Sequence, residues 1–257
     1  MKVYVCKLAW SSSGWKGLPS NKNDYNNDVN RSQVKYVRNK RYAYEWWNFS
    51  EELDDKYYIG SVRFAPNSPI VEDNSIVIFI SYDVYTNQMK FIGFYIDAKQ
   101  LLPKELEDYQ KKLKGLKLPY ELSSETQNAI NESYFDTRAP KDKSLILSEY
   151  YPVDTKVAFG RRFGNVFLQE LNEEQIYKAL SWIENNKNNI INNNNSVEKI
   201  NNKIENLIRA LRIISYKPML NILSAINTKP FIILSGISGT GKTQIARIIS
   251  TGLVEGG

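Results

Sequence analysis

Apolar and polar positions alternate over much of the first 160 residues, and this pattern predicts strands. The strand-like runs cover residues 3–8, 57–64, 75–82, 89–96, 144–150 and 156–159. Helical spacing predicts short helices at 103–113 and 123–131 and a better-defined helix at 173–182, after a capping position at Asn172. Several strands with few helices predict an α+β domain built around a small closed or half-closed β-barrel.

The pattern changes near residue 185. The stretch "NNKNNIINNNN" over 185–195 is polar and of low complexity, which predicts an interdomain linker at 185–196 that buries too little apolar surface to fold. From Val197 onwards, Ile and Leu recur at helical spacing, which predicts one or two helices next to a second domain. We therefore expect a recognition domain at 1–184 and the start of an NTPase domain at 197–257.

The second domain carries a phosphate-binding motif. The apolar run 231–234 predicts a buried parallel strand, and 244–253 predicts a helix. Between them, "GISGTGKT" satisfies the pattern G-x-x-x-x-G-K-[ST], in which backbone N–H groups surround a phosphate at a helix N-terminus. Lys242 would reach the β and γ phosphates, and the Thr243 hydroxyl would hold Mg²⁺. The predicted nucleotide-binding residues are Gly236, Ser238, Gly239, Thr240, Gly241, Lys242 and Thr243.

Only 257 − 243 = 14 residues follow Thr243. A complete P-loop NTPase also needs an acidic Mg²⁺ ligand on a later strand, a group that positions water and further strands. We therefore expect this chain alone to be inactive as an NTPase. It is interpreted either as a truncated product or as the front part of a longer motor that would use Mg²⁺ with GTP or ATP.

Composition excludes several classes of function. The chain has no histidine and a single cysteine, Cys6, which removes zinc fingers, histidine-dependent hydrolases and disulfide frameworks. Asp and Glu show no paired arrangement for acid–base catalysis. No apolar run approaches the ~20 residues that span a bilayer, and the N-terminus lacks a signal-peptide core. We expect a cytoplasmic protein with no membrane association.

Charge and aromatic residues concentrate in one segment. The net charge of +6 favours a polyanionic partner, although Lys and Asn are common throughout the chain. Within residues 30–49, basic side chains precede a run of aromatic ones, as phosphate attraction plus base stacking would require. The predicted contacts to a DNA backbone are Arg31, Lys35, Arg38, Lys40 and Arg41, with Arg161 and Arg162 in a glycine-flanked turn. A solvated basic helix followed by core aromatics explains the same segment.

Two resemblances sharpen the functional hypothesis. The segment "FIILSGISGTGKTQIARII" resembles the Walker A region of AAA+ motors of the McrB branch, which belong to modification-dependent restriction systems. That resemblance implies a DNA-recognition domain before the motor, a separate nuclease subunit and a ring-shaped homo-oligomer. The front domain resembles the YTH and EVE group of PUA-like barrels through "VYVCKLAW", the "NRSQVKY" segment leading to Trp46 and Trp47, and the hairpin "SIVIFISYDVYTNQMKFIGFYI", with Gly93 at the family's glycine position. This second resemblance implies an aromatic cage for a flipped, modified base.

The predicted cage residues are Trp15, Trp46, Trp47 and Tyr82. Neighbouring tryptophans on a strand point to opposite faces, so one of Trp46 and Trp47 would be core. Trp10 and Trp182 are predicted to be core residues. The preferred function is a reader of methylated DNA bases that serves a McrB-like restriction endonuclease. The alternatives are a protein-partner or peptide-binding domain of an AAA+ remodelling ATPase, and a non-functional truncated remnant.

Overall fold

The computed structural model describes residues 1–62, 71–163, 168–194 and 197–228, which form an α+β fold. Seven strands lie in one mixed sheet: β1 (Val3–Leu8), β2 (Tyr57–Gly60), β3 (Ser75–Asp83), β4 (Gln88–Gln100), β5 (Thr137–Pro140), β6 (Leu145–Pro152) and β7 (Leu168–Glu170). Seven α-helices accompany them: α1 (Lys22–Arg31), α2 (Lys35–Lys40), α3 (Pro103–Gly115), α4 (Ser124–Asn131), α5 (Thr155–Phe159), α6 (Glu173–Asn192) and α7 (Val197–Thr228). The predicted α+β class is confirmed.

The sheet is open. Its strand order is β2-β5-β4-β3-β1-β7, and β6 pairs with β4 off this path. Strands β1 and β3 run parallel, whereas the other pairs are antiparallel. Within the described ranges, β2 and β7 have one strand neighbour each, so these strands do not close on themselves. The predicted barrel is therefore corrected to an open mixed sheet for this part of the chain.

Both faces of the sheet are buried, and β1 shows why. Its side chains alternate: Tyr4, Cys6 and Leu8 belong to one hydrophobic core, and Val3 and Val5 to the other. The first core contains buried side chains of α1, α2, α3 and α4. The second contains buried side chains of α5, α6 and the first part of α7. A strand covered on both faces reads as a nearly continuous apolar run, as this one does.

The hairpin of β3 and β4 supports the centre of the sheet, and Gly93 allows β6 to join it. A Cβ atom at Gly93 would lie 2.1 Å from the backbone oxygen of Leu145 on β6. Any side chain at that position would therefore push β6 away from β4. This close approach gives a physical reason for the glycine in the predicted hairpin.

Two predicted elements are corrected. Residues 156–159 were expected to form a strand, but they lie in α5. Asp154 accepts hydrogen bonds from the backbone N–H groups of Lys156 and Val157, and this cap starts the helix. Gly160 follows with φ of +70° and ends it. A four-residue apolar run does not by itself distinguish a strand from a helical turn.

The Asn-rich segment, predicted to bury too little apolar surface to fold, is helical as far as Asn192. Helix α6 begins after the predicted cap, Asn172, and continues to Asn192, because Ile190 and Ile191 are buried in the second core. The Asn194 side chain then accepts from the backbone N–H groups of Ser148 and Glu149, both at 2.8 Å. It also donates to the Glu149 carbonyl at 3.0 Å. Residues 185–194 are thus attached to β6.

Helix α7 packs on the same core as the sheet. Its buried side chains Ile200, Ile204, Leu207, Ile208 and Leu211 contact this core. Lys203 donates to the backbone oxygens of Lys141 and Ser144, at the turn between β5 and β6. The start of the predicted NTPase domain therefore packs against the predicted recognition domain. The predicted strand at 231–234, the P-loop residues 236–243 and the helix at 244–253 lie outside the described residues.

Candidate functional site

A cleft of about 720 Å³ opens at the carboxyl ends of the parallel strands β1 and β3. The junction of α1 and α2 forms part of its wall, and the start of α5 with the turn that follows forms another. Its lining residues are Lys7, Leu8, Trp10, Ser32, Gln33, Val34, Lys35, Tyr36, Tyr82, Val84, Met89, Val153, Asp154, Thr155, Arg162 and Phe163. Ligand sites in sheets with helices on both faces commonly lie at this end of parallel strands.

Aromatic rings and cations line this cleft together. The rings belong to Trp10, Tyr36, Tyr82 and Phe163, and the cations to Lys7, Lys35 and Arg162. Among the described residues, Lys35 and Arg162 form no salt bridge, and both are exposed. Lys7 is half-buried, and burial lowers its pKa. Aromatic surface with positive charge suits a ligand that is both planar and anionic.

Among the described residues of the lining, the single carboxylate, that of Asp154, has a structural role. Asp154 accepts from the backbone N–H group of Lys156 at 2.9 Å and from that of Val157 at 3.4 Å, and so caps α5. Among the described lining residues, the cations Lys35 and Arg162 form no salt bridge, and Asp154 supplies the one carboxylate. We expect these cations to attract phosphate groups to the cleft.

Trp10 is held by other aromatic side chains. Its ring makes edge contacts with Trp15, Tyr150 and Tyr85, at centroid distances of 5.9, 5.7 and 6.3 Å. Its carbonyl oxygen accepts a hydrogen bond of 2.9 Å from the Trp46 ring nitrogen. Edge-to-face contacts of this kind fix a ring in one orientation. Trp10 is therefore a rigid part of the cleft wall.

The three tryptophans predicted as cage walls lie in the first core instead. Trp15 and Trp46 are 0% exposed and Trp47 is 4% exposed, and none of them lines the cleft. The ring nitrogen of Trp15 donates to the carbonyl of Ala9 at 2.9 Å, so Trp15 supports the segment that carries Trp10. Of the predicted cage residues, Tyr82 lines the cleft, where it is half-buried.

Local conformation explains this placement. Gly14 and Trp15 both have positive φ, +70° and +57°, which turns the "SSSGWKG" loop back onto the protein. The backbone N–H of Phe49 then donates to the carbonyl of Trp15 at 2.8 Å. Trp46 and Trp47 lie on a short 3₁₀ helix, Tyr44–Trp47, rather than on a strand, so the expected alternation of their side chains does not apply.

The seven basic residues predicted to contact a DNA backbone lie in different surroundings. Lys35 and Arg162 line the cleft, and Arg31 lies over the ring of Tyr85, 5.1 Å from its centroid. Lys40 is exposed outside the lining. The other three are engaged locally: Arg38 donates to the Ser32 carbonyl, Arg41 donates to the Asn26 side-chain oxygen at 2.7 Å, and Arg161 lies 5.6 Å from the ring of Phe163.

Sequence reasoning did not include Trp10, Tyr36, Lys7 or Phe163 in the site. Trp10 was predicted to be core because it continues the alternation of β1. The signal that could have found it is its place just after the carboxyl end of the first strand, where ligands bind. Lys7 is the one charged residue within the apolar run of β1. Charged side chains are rarely buried without a partner, so a lysine in such a strand is a signal for a functional site.

Two buried carboxylates support the segment from Ala9 to Ser12. Glu45 accepts from the backbone N–H of Ala9 at 3.0 Å, and burial raises its pKa. Asp28 is 0% exposed, and its Oδ2 accepts from the backbone N–H and the hydroxyl of Ser12, both at 2.8 Å. Burial raises the pKa of Asp28 to about 6, and its Oδ1 has no partner among the described residues.

The described ranges contain no group of three or more Cys, Asp or Glu side chains placed to hold a metal ion. The predicted Mg²⁺ ligand, Thr243, lies outside those ranges. None of the helices that the structure describes combines the length and apolar character needed to cross a membrane. No family model, curated protein or solved structure matches this chain.

Proposed function

We propose that this protein binds DNA and recognises a modified base, flipped out of the duplex, in the cleft at the ends of β1 and β3. The observation that carries the proposal is the lining itself, in which the rings of Trp10, Tyr36 and Tyr82 lie with the cations Lys7, Lys35 and Arg162. Rings supply stacking surface for a base, and cations attract the phosphates on either side of it.

The energetics of base flipping fit such a cleft. Extrusion of a base costs a few kcal/mol, and each base–aromatic contact returns about 1–3 kcal/mol. Two walls are therefore enough to offset the cost. Trp10 and Tyr82 take the place that the sequence analysis gave to the three buried tryptophans. A rigid Trp10 reduces the entropy lost on binding, because its orientation is already fixed in the free protein.

The wider assignment rests on the sequence motifs. The hairpin sequence that forms β3 and β4, with Gly93 at its close approach to β6, supports a relationship to the YTH and EVE group, whereas the open sheet differs from the closed barrel that this resemblance implies. The P-loop sequence at 236–243 supports a McrB-like motor that uses Mg²⁺ with GTP or ATP. In that assignment the protein acts in the cytoplasm. Its partners are methylated DNA, a nuclease subunit and further copies of the chain.

Substitutions in the cleft test the proposal. Tyr82→Ala removes a half-buried ring from the lining, and we expect at least a tenfold loss of affinity for a duplex with a modified base. Lys35→Ala should weaken binding to modified and unmodified duplexes alike and lower the salt slope by about 1. The matched control is Tyr177→Ala, which removes a ring that is 60% exposed on α6, away from the cleft.

The readout is fluorescence anisotropy of a labelled duplex at two salt concentrations. If Tyr82→Ala binds the modified duplex as tightly as wild type and Tyr177→Ala do, the placement of the base in the cleft is contradicted. Absence of salt-dependent DNA binding by the whole chain would reject the proposal and favour a cleft for a peptide or protein partner.

A further inference from the structure

An exposed aromatic surface lies just outside the cleft, on the turn that joins β3 to β4. Tyr85 lies in this turn, and 44% of its side chain is exposed. Its ring makes an edge contact with the ring of Trp10 at a centroid distance of 6.3 Å. Trp10 lines the cleft and Tyr85 does not, so the aromatic surface continues from the cleft wall onto the turn.

Hydrogen bonds hold this turn in one conformation. The buried side chain of Asp83 accepts from the backbone N–H of Tyr85 at 2.9 Å, and from the backbone N–H and the hydroxyl of Thr86 at 3.3 and 2.6 Å. The hydroxyl of Tyr85 bonds to the side chain of Asp28 on α1. A ring whose orientation is already fixed loses little entropy when it stacks on a ligand. Tyr85 is therefore a preorganised stacking surface.

Arg31 adds a positive charge to this surface. Its guanidinium carbon lies 5.1 Å from the centroid of the Tyr85 ring. Arg31 is exposed, and among the described residues it forms no salt bridge. A ring and an adjacent cation together suit a nucleotide, because the ring stacks on the base and the cation attracts the phosphate.

The angle between the two rings indicates how they act together. The planes of Trp10 and Tyr85 are inclined by 67° to each other. A base stacked on Trp10 and a base stacked on Tyr85 would be inclined in the same way, whereas neighbouring bases in an intact helix are nearly parallel. The two surfaces therefore fit neighbouring nucleotides only where one base has left the stack, as a flipped base does.

We propose that Tyr85 stacks on the base next to the flipped nucleotide, in the place that the flipped base leaves, and that Arg31 contacts a phosphate beside it. This inference rests on the proposed function, because it requires a flipped base in the cleft. Extrusion of a base uncovers one face of its neighbour in the helix, and an aromatic ring on that face restores the lost stacking. Tyr85 thus lowers the cost of flipping from outside the cleft.

A double-mutant cycle between the ring and the neighbouring base tests the inference. The duplexes carry N6-methyladenine, 5-methylcytosine or 5-hydroxymethylcytosine at one position, and the whole chain is titrated by fluorescence anisotropy. With the modified duplex that wild type prefers, Tyr85→Ala should lower the affinity at least tenfold, which corresponds to about 1.4 kcal/mol. Two further duplexes replace the base on one side or the other of the modified nucleotide by an abasic site. In one of them Tyr85→Ala should change the affinity less than twofold, because the ring has no base to stack on.

Three variants separate this role from others. Tyr85→Phe keeps the ring and removes the hydroxyl that bonds to Asp28, so its affinity should stay within twofold of wild type. Tyr134→Ala removes a ring of similar exposure, 40%, outside the cleft lining and should leave the affinity unchanged. Arg31→Ala should weaken binding to every duplex and lower the salt slope by about 1.

Several results would overturn the inference and leave the proposed function standing. They are an undiminished affinity of Tyr85→Ala for the intact duplex, an equal loss on the intact and both abasic duplexes, and a loss in Tyr85→Phe or Tyr134→Ala as large as in Tyr85→Ala. An unchanged salt slope in Arg31→Ala would overturn the phosphate contact. If wild type prefers none of the modified duplexes over the unmodified one, both the inference and the proposed function are overturned.

Discussion

Asp28 is a buried carboxylate whose replacement should stabilise the protein at neutral pH. Its side chain is 0% exposed, and burial raises its pKa from 3.8 to about 6. A carboxyl group with a raised pKa in the folded state holds its proton more tightly than in the unfolded chain. Its contribution to stability is therefore fully present below pH 3.8 and is lost as the pH rises through about 6.

The magnitude follows from the size of the pKa change. The difference between 3.8 and about 6 is roughly two units, and each unit corresponds to about 1.4 kcal/mol. Ionised Asp28 thus lowers the free energy of unfolding by about 3 kcal/mol at pH 8 relative to a pH well below 3.8, and about 2.5 kcal/mol of this change falls between pH 4 and pH 8. In Asp28→Asn the side-chain oxygen can still accept from Ser12, and the titration is removed.

The assay is urea unfolding of wild type and Asp28→Asn at several pH values between 4 and 8. The difference between the two free energies of unfolding should move by about 2.5 kcal/mol in favour of Asp28→Asn between pH 4 and pH 8. Taking this difference cancels the titration of the other carboxylates, which both proteins share. The matched control is Asp55→Asn, which makes the same substitution at an exposed carboxylate.

A flat difference for Asp28→Asn, or a relative loss of stability towards pH 8, would contradict a raised pKa for Asp28. Either result would mean that the hydrogen bonds from Ser12 outweigh the effect of burial. The pH range of the change also matters, because the charge of Asp24 adds to burial in raising the pKa of Asp28. A change in stability centred near pH 4, close to the ordinary aspartate value of 3.8, would indicate that the Asp28 side chain is in contact with water.

Three further substitutions test the packing around the sheet, each by urea unfolding. Gly93→Ala places a Cβ atom 2.1 Å from a backbone oxygen of β6 and should cost about 3 kcal/mol, and a loss below 0.5 kcal/mol would contradict that close approach. Lys203→Met leaves two backbone carbonyls without their charged donor and should cost about 2–3 kcal/mol, compared with little change for Lys199→Met on the exposed side of α7. Asn194→Ala removes hydrogen bonds to β6 and should lower the free energy of unfolding by about 1–3 kcal/mol. An equal loss for Asn193→Ala, at an exposed position, would show that the hydrogen bonds to β6 do not stabilise the fold.

Local signals predicted the elements whose causes are local. Strand β1 was predicted with the bounds that the structure has, because its β-branched and alternating residues specify a strand without outside help. Helix α6 was predicted to start after Asn172, whose side chain accepts from the backbone N–H of Gln175. Its continuation to Asn192 was missed, because asparagine-rich composition hid the two isoleucines that the second core buries.

The arrangement of the site depends on contacts between distant segments, and these were harder to predict. Trp15 is buried because its loop bonds to Phe49, and nothing in "SSSGWKG" indicates that contact. Trp10 reaches the cleft because β1 ends just before it, next to the end of β3. The sheet is open because β2 and β7 occupy opposite ends of the strand order, and strand order cannot be derived from alternation.

The most direct test of the central claim is DNA binding by the whole chain, measured by fluorescence anisotropy. The duplexes are matched and carry unmodified bases, N6-methyladenine or a 5-substituted cytosine, at two salt concentrations. A reader of modified bases should bind one modified duplex more tightly than the others, with an affinity that falls steeply as salt rises. Equal affinity for every duplex would reduce the cleft to a nonspecific DNA contact, and absence of binding would contradict the proposed function.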